Sequence, residues 1–251
     1  MCRTASLLRS GIVYCNGAAA SSEAVADMGI YHIISVFRNM QWSQSAARSL
    51  DSEQFLEAHK FATMTAHNPQ GKVLGIIGLG NIGYTIAKKA FACFGMKIHY
   101  QDLYRKGAEA EAAIEAVFHE SLDELLGVAD CIVLAAPFSG KTLIDAETLR
   151  KFKKGSRLVN IARGGLVDEA ALVDALRSGQ LFAAGLDVHA NEPHVNADLA
   201  GMRQVNLTCH NAGGAIETNI GFERLAMENV RAVLKGEQPL TPVNKHLLVL
   251  N

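Results

Sequence analysis

Four side chains late in the chain could do chemistry together. Arg163 stands in VNIARGG, Asp187 and Glu192 in AGLDVHANEP, and His210 in NLTCHNAGG. A guanidinium grips a carboxylate through two parallel hydrogen bonds. An imidazole gives a proton to a carbonyl oxygen or takes one from a hydroxyl. A carboxylate beside it stabilises the imidazolium. With a nicotinamide at hand, this set would reduce a 2-keto acid to a 2-hydroxy acid by hydride transfer. Each residue also has a structural reading. Arg163 beside a Gly pair could cap a loop, Asp187 could satisfy backbone donors, and His210 could close a strand end. His189, Glu192 and His194 could be drawn as metal ligands. Their close spacing in a Pro-containing loop is a poor match to a metal site, and no metal is expected.

A hydride reaction needs a cofactor, and KVLGIIGLGNIGYTIAKKA offers a place for one. Gly78, Gly80 and Gly83 lie between an apolar run and a helical pattern, with Asn81 and Ile82 completing the loop. The first Gly permits a tight turn, the second lets backbone approach a pyrophosphate, and the third lets the helix pack closely on the strand. The helix start then presents free N–H groups and a positive dipole end to the phosphates. Asp102, in YQD after the next apolar run, lies 19 residues beyond Gly83. A carboxylate there accepts from a ribose 2′-hydroxyl and repels a 2′-phosphate, so NAD is expected. Arg105 nearby leaves NADP as the lesser reading. AAPFSGKT at 135–142 imitates a phosphate-binding P-loop, but Ala135 stands where that loop needs Gly, and Pro137 removes an N–H donor. The expected role is a strand-to-helix loop near the cofactor.

Such residues work only if a scaffold brings them to one edge. Apolar runs occur at 73–77, 97–100, 131–135, 157–161, 183–188 and 205–208, with a short VF at 117–118. Helical patterns at 81–94, 121–127, 145–152 and 168–177 lie between most of them. Apolar strands alternating with helices specify a doubly wound α/β domain with a parallel sheet covered on both faces. Open sheets of this kind bind ligands at the C-terminal ends of their strands. Upstream, 22–39 reads as a helix and the stretch to about Gln70 as polar and irregular. The last helix is expected over 214–235, ended by Gly236. At the start, Gly11–Cys15 reads as a short strand running into an Asn16-Gly17 turn.

The chain has 251 residues, 49% hydrophobic and 20% charged, with a net charge of −1. Nothing in that balance suggests a nucleic-acid or anionic-membrane partner, and no apolar run reaches the length of a membrane span. The five cysteines (Cys2, Cys15, Cys93, Cys131, Cys209) show no regular spacing, so a reducing compartment, the cytoplasm, is expected. Residues 1–22 carry Arg3, Arg9 and several Ser without an acid, which leaves a mitochondrial leader as a minor reading.

The order GLGNIG, Asp102, ARGG, GLDV…EP and a His-containing strand end resembles the D-isomer-specific 2-hydroxyacid dehydrogenase family, from about Gly11 to Asn244. NIARGG (160–165), VDEAALVDAL (167–176) and GLDV (185–188) resemble that family in general. AHNPQGKVLG (66–75) and AIETNIGFERLAMENV (215–230) are more narrowly similar to its fungal D-mandelate dehydrogenase-like branch. The resemblance implies that Arg163 binds a substrate carboxylate and that His210 is the acid/base, paired with Glu192. It places Asp187 near the nicotinamide carboxamide, and Pro137 and Ala162 in the cofactor site. It implies a homodimer through the cofactor domain, with the 22–39 helix in the dimerising region.

Two departures stand in the His210 segment. Cys209 replaces the usual Pro, and Asn211 replaces a usually apolar residue. The resemblance also implies an N-terminally shortened chain. Residues 1–16 would be a remnant of a substrate-binding domain, 17–238 the dinucleotide-binding domain, and 239–251 a tail with little left to dock against. The expectation is that NAD(H) binding survives and that turnover of 2-keto acids, branched or aromatic ones foremost, is weak or absent. The alternative is a non-catalytic NAD-binding module with a dimerising or regulatory role.

Overall fold

The five residues Val73–Ile77 are apolar without a break and form the strand β1, buried from its second residue onward. A strand buried on both faces has no polar side to show, and the fold follows from that. The computed structural model describes residues 12–17 and 19–244. Seven strands form one parallel sheet in the order β3-β2-β1-β4-β5-β6-β7. They are β1, β2 (Lys97–Gln101), β3 (Val117–Phe118), β4 (Cys131–Leu134), β5 (Ser156–Asn160), β6 (Leu181–Leu186) and β7 (Val205–Leu207). β1 pairs with β2 on one side and β4 on the other, so the strand order reverses there. In such sheets ligands bind at that reversal, beyond the strand ends.

The helices are α1 (Ser22–Arg38), α2 (Met40–Arg48), α3 (Ser52–Met64), α4 (Asn81–Phe94), α5 (Ala108–Ala112), α6 (Leu122–Val128), α7 (Ala146–Lys151), α8 (Glu169–Arg177), α9 (Ala197–Gly201) and α10 (Ile216–Leu234). Alternation along each strand sorts side chains onto two faces. Leu74, Ile76, Cys131 and Val133 join one core with Ile33, Phe37 and Ile86 from α1 and α4. Ile77, Ile132 and Leu134 join the other with Leu125, Leu149 and Leu172 from α6, α7 and α8. The chain divides into two compact units, one of which is Val25–Ala212 and holds the whole sheet; the other joins the chain up to Ala24 with the chain from Gly213 onward. No helix among the described residues is long and apolar enough to cross a membrane.

Two expectations are corrected. The stretch after residue 39 is not irregular but forms α2 and α3. Asp51 caps α3, accepting from Glu53 N and Gln54 N at 2.8 and 3.3 Å, while the Gln54 amide reaches back to its other oxygen at 3.0 Å. The helices escape a periodicity search because their buried residues are only Ala46, Ala58 and Ala62. The initial strand shrinks to one bridge, Cys15 to Pro242, and the turn begins at Gly17, whose carbonyl accepts from Ala20 N at 3.0 Å. Gly11, Cys2 and the stretch carrying Arg3 and Arg9 lie outside the described residues. The tail does dock. Val243 N donates to Tyr14 O at 2.7 Å, and Asn244 joins Tyr14 N and Ile12 O at 3.1 and 3.0 Å.

One buried ring titrates with a consequence for stability. His32 in α1 is fully buried, and burial pulls its pKa from 6.5 down to about 4 against the opposing field of Asp187. The unfolded chain therefore binds this proton below pH 6.5, whereas the folded chain binds it only near pH 4. His32 costs the fold nothing at neutral pH and progressively more on acidification, by about 3 kcal/mol in full. In urea unfolding, His32→Gln is expected to lose stability at pH 7.5. Its deficit against the wild type should narrow at pH 4.5. A deficit that is constant with pH would contradict this.

Candidate active site

Parallel strands end at the same edge, so the loops after β1, β2, β4, β5, β6 and β7 gather there. Gly78 follows β1 with φ of 91°, and its N–H donates to Gln101 O at 2.9 Å. A Cβ on Gly78 would stand 2.8 Å from backbone atoms of Ala136, beside Pro137. A Cβ on Gly83, in the first turn of α4, would stand 2.2 Å from Gly78 O. Both glycines are thus needed for close packing. Gly80 is different. A Cβ there would meet nothing within 4 Å, and Gly80 caps α4 without a side-chain bond. Open space over the N-terminus of a 14-residue helix, with Asn81 and Ile82 in its first turn, suits a pyrophosphate.

Asp102, just past β2, accepts from Leu79 N and from Leu103 N, both at 2.7 Å. Its carboxylate is therefore fastened to the glycine loop while keeping lone pairs to spare. Arg105 does not reach this place. It forks onto Glu111 at 2.9–3.3 Å and lies over the Phe118 ring at 5.5 Å. The Arg105 and Tyr100 bonds hold the Glu111 carboxyl below the usual carboxylate range. The guanidinium that could have met a 2′-phosphate is engaged elsewhere, and the residues present fit NAD.

The other half of the edge carries the candidate catalytic residues. Asn160 ends β5 and is buried; it accepts from Ala162 N at 3.1 Å and donates to Arg163 O at 2.9 Å. That pair of bonds shapes the ARGG loop. Arg163 is exposed, donates to Ala162 O at 2.6 Å, and meets no carboxylate among the described residues. A Cβ on Gly164 would fall 2.0 Å from His189 O, and one on Gly165 would fall 2.8 Å from the Phe138 ring. The loops after β4, β5 and β6 therefore touch.

Asp187 follows β6 and has no exposed surface. Its Oδ1 accepts from the Thr208 hydroxyl at 2.6 Å and from Asn211 N at 3.1 Å, and its Oδ2 accepts from Ala212 N at 3.0 Å. Its own carbonyl accepts from His210 N at 2.7 Å. His210 sits in the left-handed region at φ of 51°. For a residue with a Cβ that conformation costs roughly 1–2 kcal/mol. Its Nδ1 meets Glu192 Oε2 at 2.7 Å. Glu192 Oε1 accepts from His189 N at 3.0 Å. The His210 bond, with the His189 N–H second, holds the Glu192 carboxyl below the usual range.

Arg163, Asp187, Glu192 and His210 thus come to one edge with the glycine loop. Two of the three residues weighed as metal ligands are engaged in other bonds. His189 donates through Nε2 to Thr208 O at 2.8 Å, and Glu192 serves His210. Asn211 stands beside His210 and contributes its backbone N–H to Asp187. Asn160 and Thr208 were missed by sequence reasoning. A polar residue closing an apolar strand was the available signal, in RLVN and in VNLT.

Comparison with known proteins agrees with this geometry. Residues 30–212 match the family described as D-isomer specific 2-hydroxyacid dehydrogenase, NAD binding domain. The chain is 38% identical over 241 residues to 4-methyl-2-oxopentanoate reductase A of Aspergillus oryzae, covering 94% of this chain and 70% of that one. It is 36% identical over 242 residues to a glyoxylate reductase of Thermococcus kodakarensis, covering 96% and 72%. The crystal structure of the holo form of D-mandelate dehydrogenase from Rhodotorula graminis superposes with a TM-score of 0.94 at 42% identity, covering 97% of this chain and 71% of that one.

The two glycines of the loop separate folding from binding. Gly80→Ala places a methyl in the open space and should weaken NADH binding by about tenfold or more with little change in melting temperature. Gly83→Ala collides with backbone and should lower the melting temperature as well. Fluorescence titration of NADH and thermal unfolding check both, and equal behaviour of the two variants would refute the assignment.

Proposed function

The chain belongs to the D-isomer-specific 2-hydroxyacid dehydrogenase family of NAD-dependent oxidoreductases, and from that premise we propose how this site works and on what. Arg163 holds the carboxylate of a 2-keto acid, and His210 delivers the proton to its carbonyl oxygen. The observation that carries this reading is the 2.7 Å bond between His210 Nδ1 and Glu192 Oε2. With Nδ1 bonded to a carboxylate, Nε2 is the nitrogen left for substrate. Bound NADH supplies the hydride to the carbonyl carbon. His210 Nε2 gives its proton to the oxygen, and the product is a D-2-hydroxy acid. In oxidation the same nitrogen takes the proton back. Glu192 stabilises the imidazolium in both directions. Arg163, exposed and without a carboxylate partner among the described residues, can grip the substrate carboxylate through two bonds.

On the cofactor side, Gly78, Gly80, Asn81, Ile82 and Gly83 border the pyrophosphate and Asp102 the adenosine ribose. Pro137, Ala162 and Asp187 border the nicotinamide end. The substrates proposed are branched or aromatic 2-keto acids, a reading supported by the relatives named for 4-methyl-2-oxopentanoate and D-mandelate. A homodimer through the cofactor domain is proposed as well. Support comes from apolar side chains on and beside α3 that stand open to solvent: Leu50, Phe55, Leu56 and Met64. The described cysteines are all free, which supports a cytoplasmic location.

The competing reading, a binding module without chemistry, leaves the His210–Glu192 pair without a purpose. NADH oxidation with 4-methyl-2-oxopentanoate, phenylglyoxylate, glyoxylate and hydroxypyruvate separates the two. Binding of NADH without oxidation of any of them would favour the module. If the proposal holds, His210→Gln lowers kcat by roughly 10³-fold and Glu192→Gln by roughly 10²-fold, both with NADH binding retained. Light scattering should give twice the mass of one chain, and Leu56→Glu should return it to a monomer.

A further inference from the structure

We propose that His32, on α1 and remote in sequence from the reactive groups, is a positioning residue that holds the turn carrying His210. The inference rests on the role of His210 given above and adds a member that does not touch substrate or cofactor.

A directed chain of hydrogen bonds carries the argument. The Thr208 hydroxyl donates its single hydrogen to Asp187 Oδ1 at 2.6 Å. Toward His32 Nε2, 3.0 Å away, Thr208 Oγ1 can only accept, so the ring carries its proton on Nε2. His32 Nδ1 is then bare and accepts from the Asn206 amide at 2.8 Å. The Asn206 carbonyl oxygen in turn accepts from Tyr31 OH at 3.3 Å. Every member has one role and the order cannot be reversed at Thr208 without losing the bond to Asp187. Burial of His32 keeps the ring in the neutral form this order requires.

A second observation is independent of these bonds. Gly185, the first residue of GLDV, lies in β6 where a Cβ would come 2.9 Å from His32 Nδ1 and 3.0 Å from its Cβ. The strand leaves room for this ring. The far end of the chain is Asp187, which accepts from Thr208, Asn211 and Ala212 and whose carbonyl accepts from His210 N. Those bonds hold His210 in its left-handed conformation. His32 orients the Thr208 hydroxyl, the hydroxyl anchors the Asp187 carboxylate, and the carboxylate anchors the turn.

The test compares wild type with His32→Leu, His32→Gln, Thr208→Val, the double variant His32→Leu/Thr208→Val, and His210→Gln as control. Amide hydrogen exchange at Asn211 and Ala212 is read against Ile76 in the sheet centre. In parallel, kcat and KM are measured with 4-methyl-2-oxopentanoate, and Kd with NADH. His32→Leu is expected to speed exchange at Asn211 and Ala212 by about tenfold or more beyond whatever rise its loss of global stability produces at Ile76. It should lower kcat by about tenfold with KM within threefold. His32→Gln retains an amide N–H at the reach of Nε2 and should recover most of both. The double variant should be no worse than His32→Leu alone. Unchanged exchange at Asn211 and Ala212, an equal rise at Ile76, or multiplicative losses in the double variant would overturn the proposal. If His32→Leu does not fold, Thr208→Val and His32→Gln decide by the same exchange readout. If His210→Gln retains full turnover, the acid/base role falls, and the exchange result still judges the link from His32 to the turn.

Discussion

A fully buried carboxylate is the constraint on which the reactive edge depends. Asp187 has no exposed surface, and an ion in that position must find donors within the protein. The Thr208 hydroxyl and the N–H groups of Asn211 and Ala212 supply them. Hydrogen bonds to a charged group contribute about 1.5–3 kcal/mol each. Together they exceed the roughly 1–2 kcal/mol that a left-handed His costs. The loop after β7 therefore folds back over the end of β6, and His210 goes where that fold puts it. Glu192 completes the arrangement, bonded to His210 Nδ1 through one oxygen and to His189 N through the other.

Close approach of backbones does the rest of the positioning. Gly78 lets the glycine loop touch the segment after β4, and Gly164 lets the ARGG loop touch the segment after β6. A methyl group at either point would push the two loops apart by more than the tolerance of a hydrogen bond. The space left open above Gly80, at the start of α4, stands against this background of tight contacts and suits an anion. Asp102, bonded to Leu79 N, is tied to the same glycine loop. One edge of one sheet thus gathers the glycine loop, Asp102, Arg163, Asp187, Glu192 and His210 from segments spread over about 130 residues of chain.

The elements that carry these residues were legible wherever apolar spacing is strong. β1, α4 and even the two-residue β3 appear where the patterns of VLGII, NIGYTIAKKAFACF and VF place them. α2 and α3 were not legible, because their contacts with the rest of the protein are made by Ala46, Ala58 and Ala62, which give no periodic signal. Asn39, left-handed between α1 and α2, bonds Ala62 O and Thr65 Oγ1 at 2.9 Å and fixes the end of α3, a role invisible from its neighbours in the chain. Arg105 shows the opposite error. Its closeness to Asp102 in sequence suggested a shared site, and its bonds to Glu111 take it away.

The parallel α/β sheet, the glycine loop, the carboxylate after β2 and four candidate side chains could be read from the sequence alone. Those are local matters: alternation of burial, turn chemistry and residue type at short spacing. Only the tertiary structure decided what those side chains do for one another. His32 and Asn206 stand 174 residues apart and meet at 2.8 Å, and His210 and Glu192 stand 18 apart and meet at 2.7 Å. Such pairings depend on strand order, on the register of β6 with β7, and on which glycines let two loops touch. The physical reason is that a hydrogen bond is specified within tenths of an ångström. That tolerance is set by the whole packed sheet and not by any stretch of chain that reads alone.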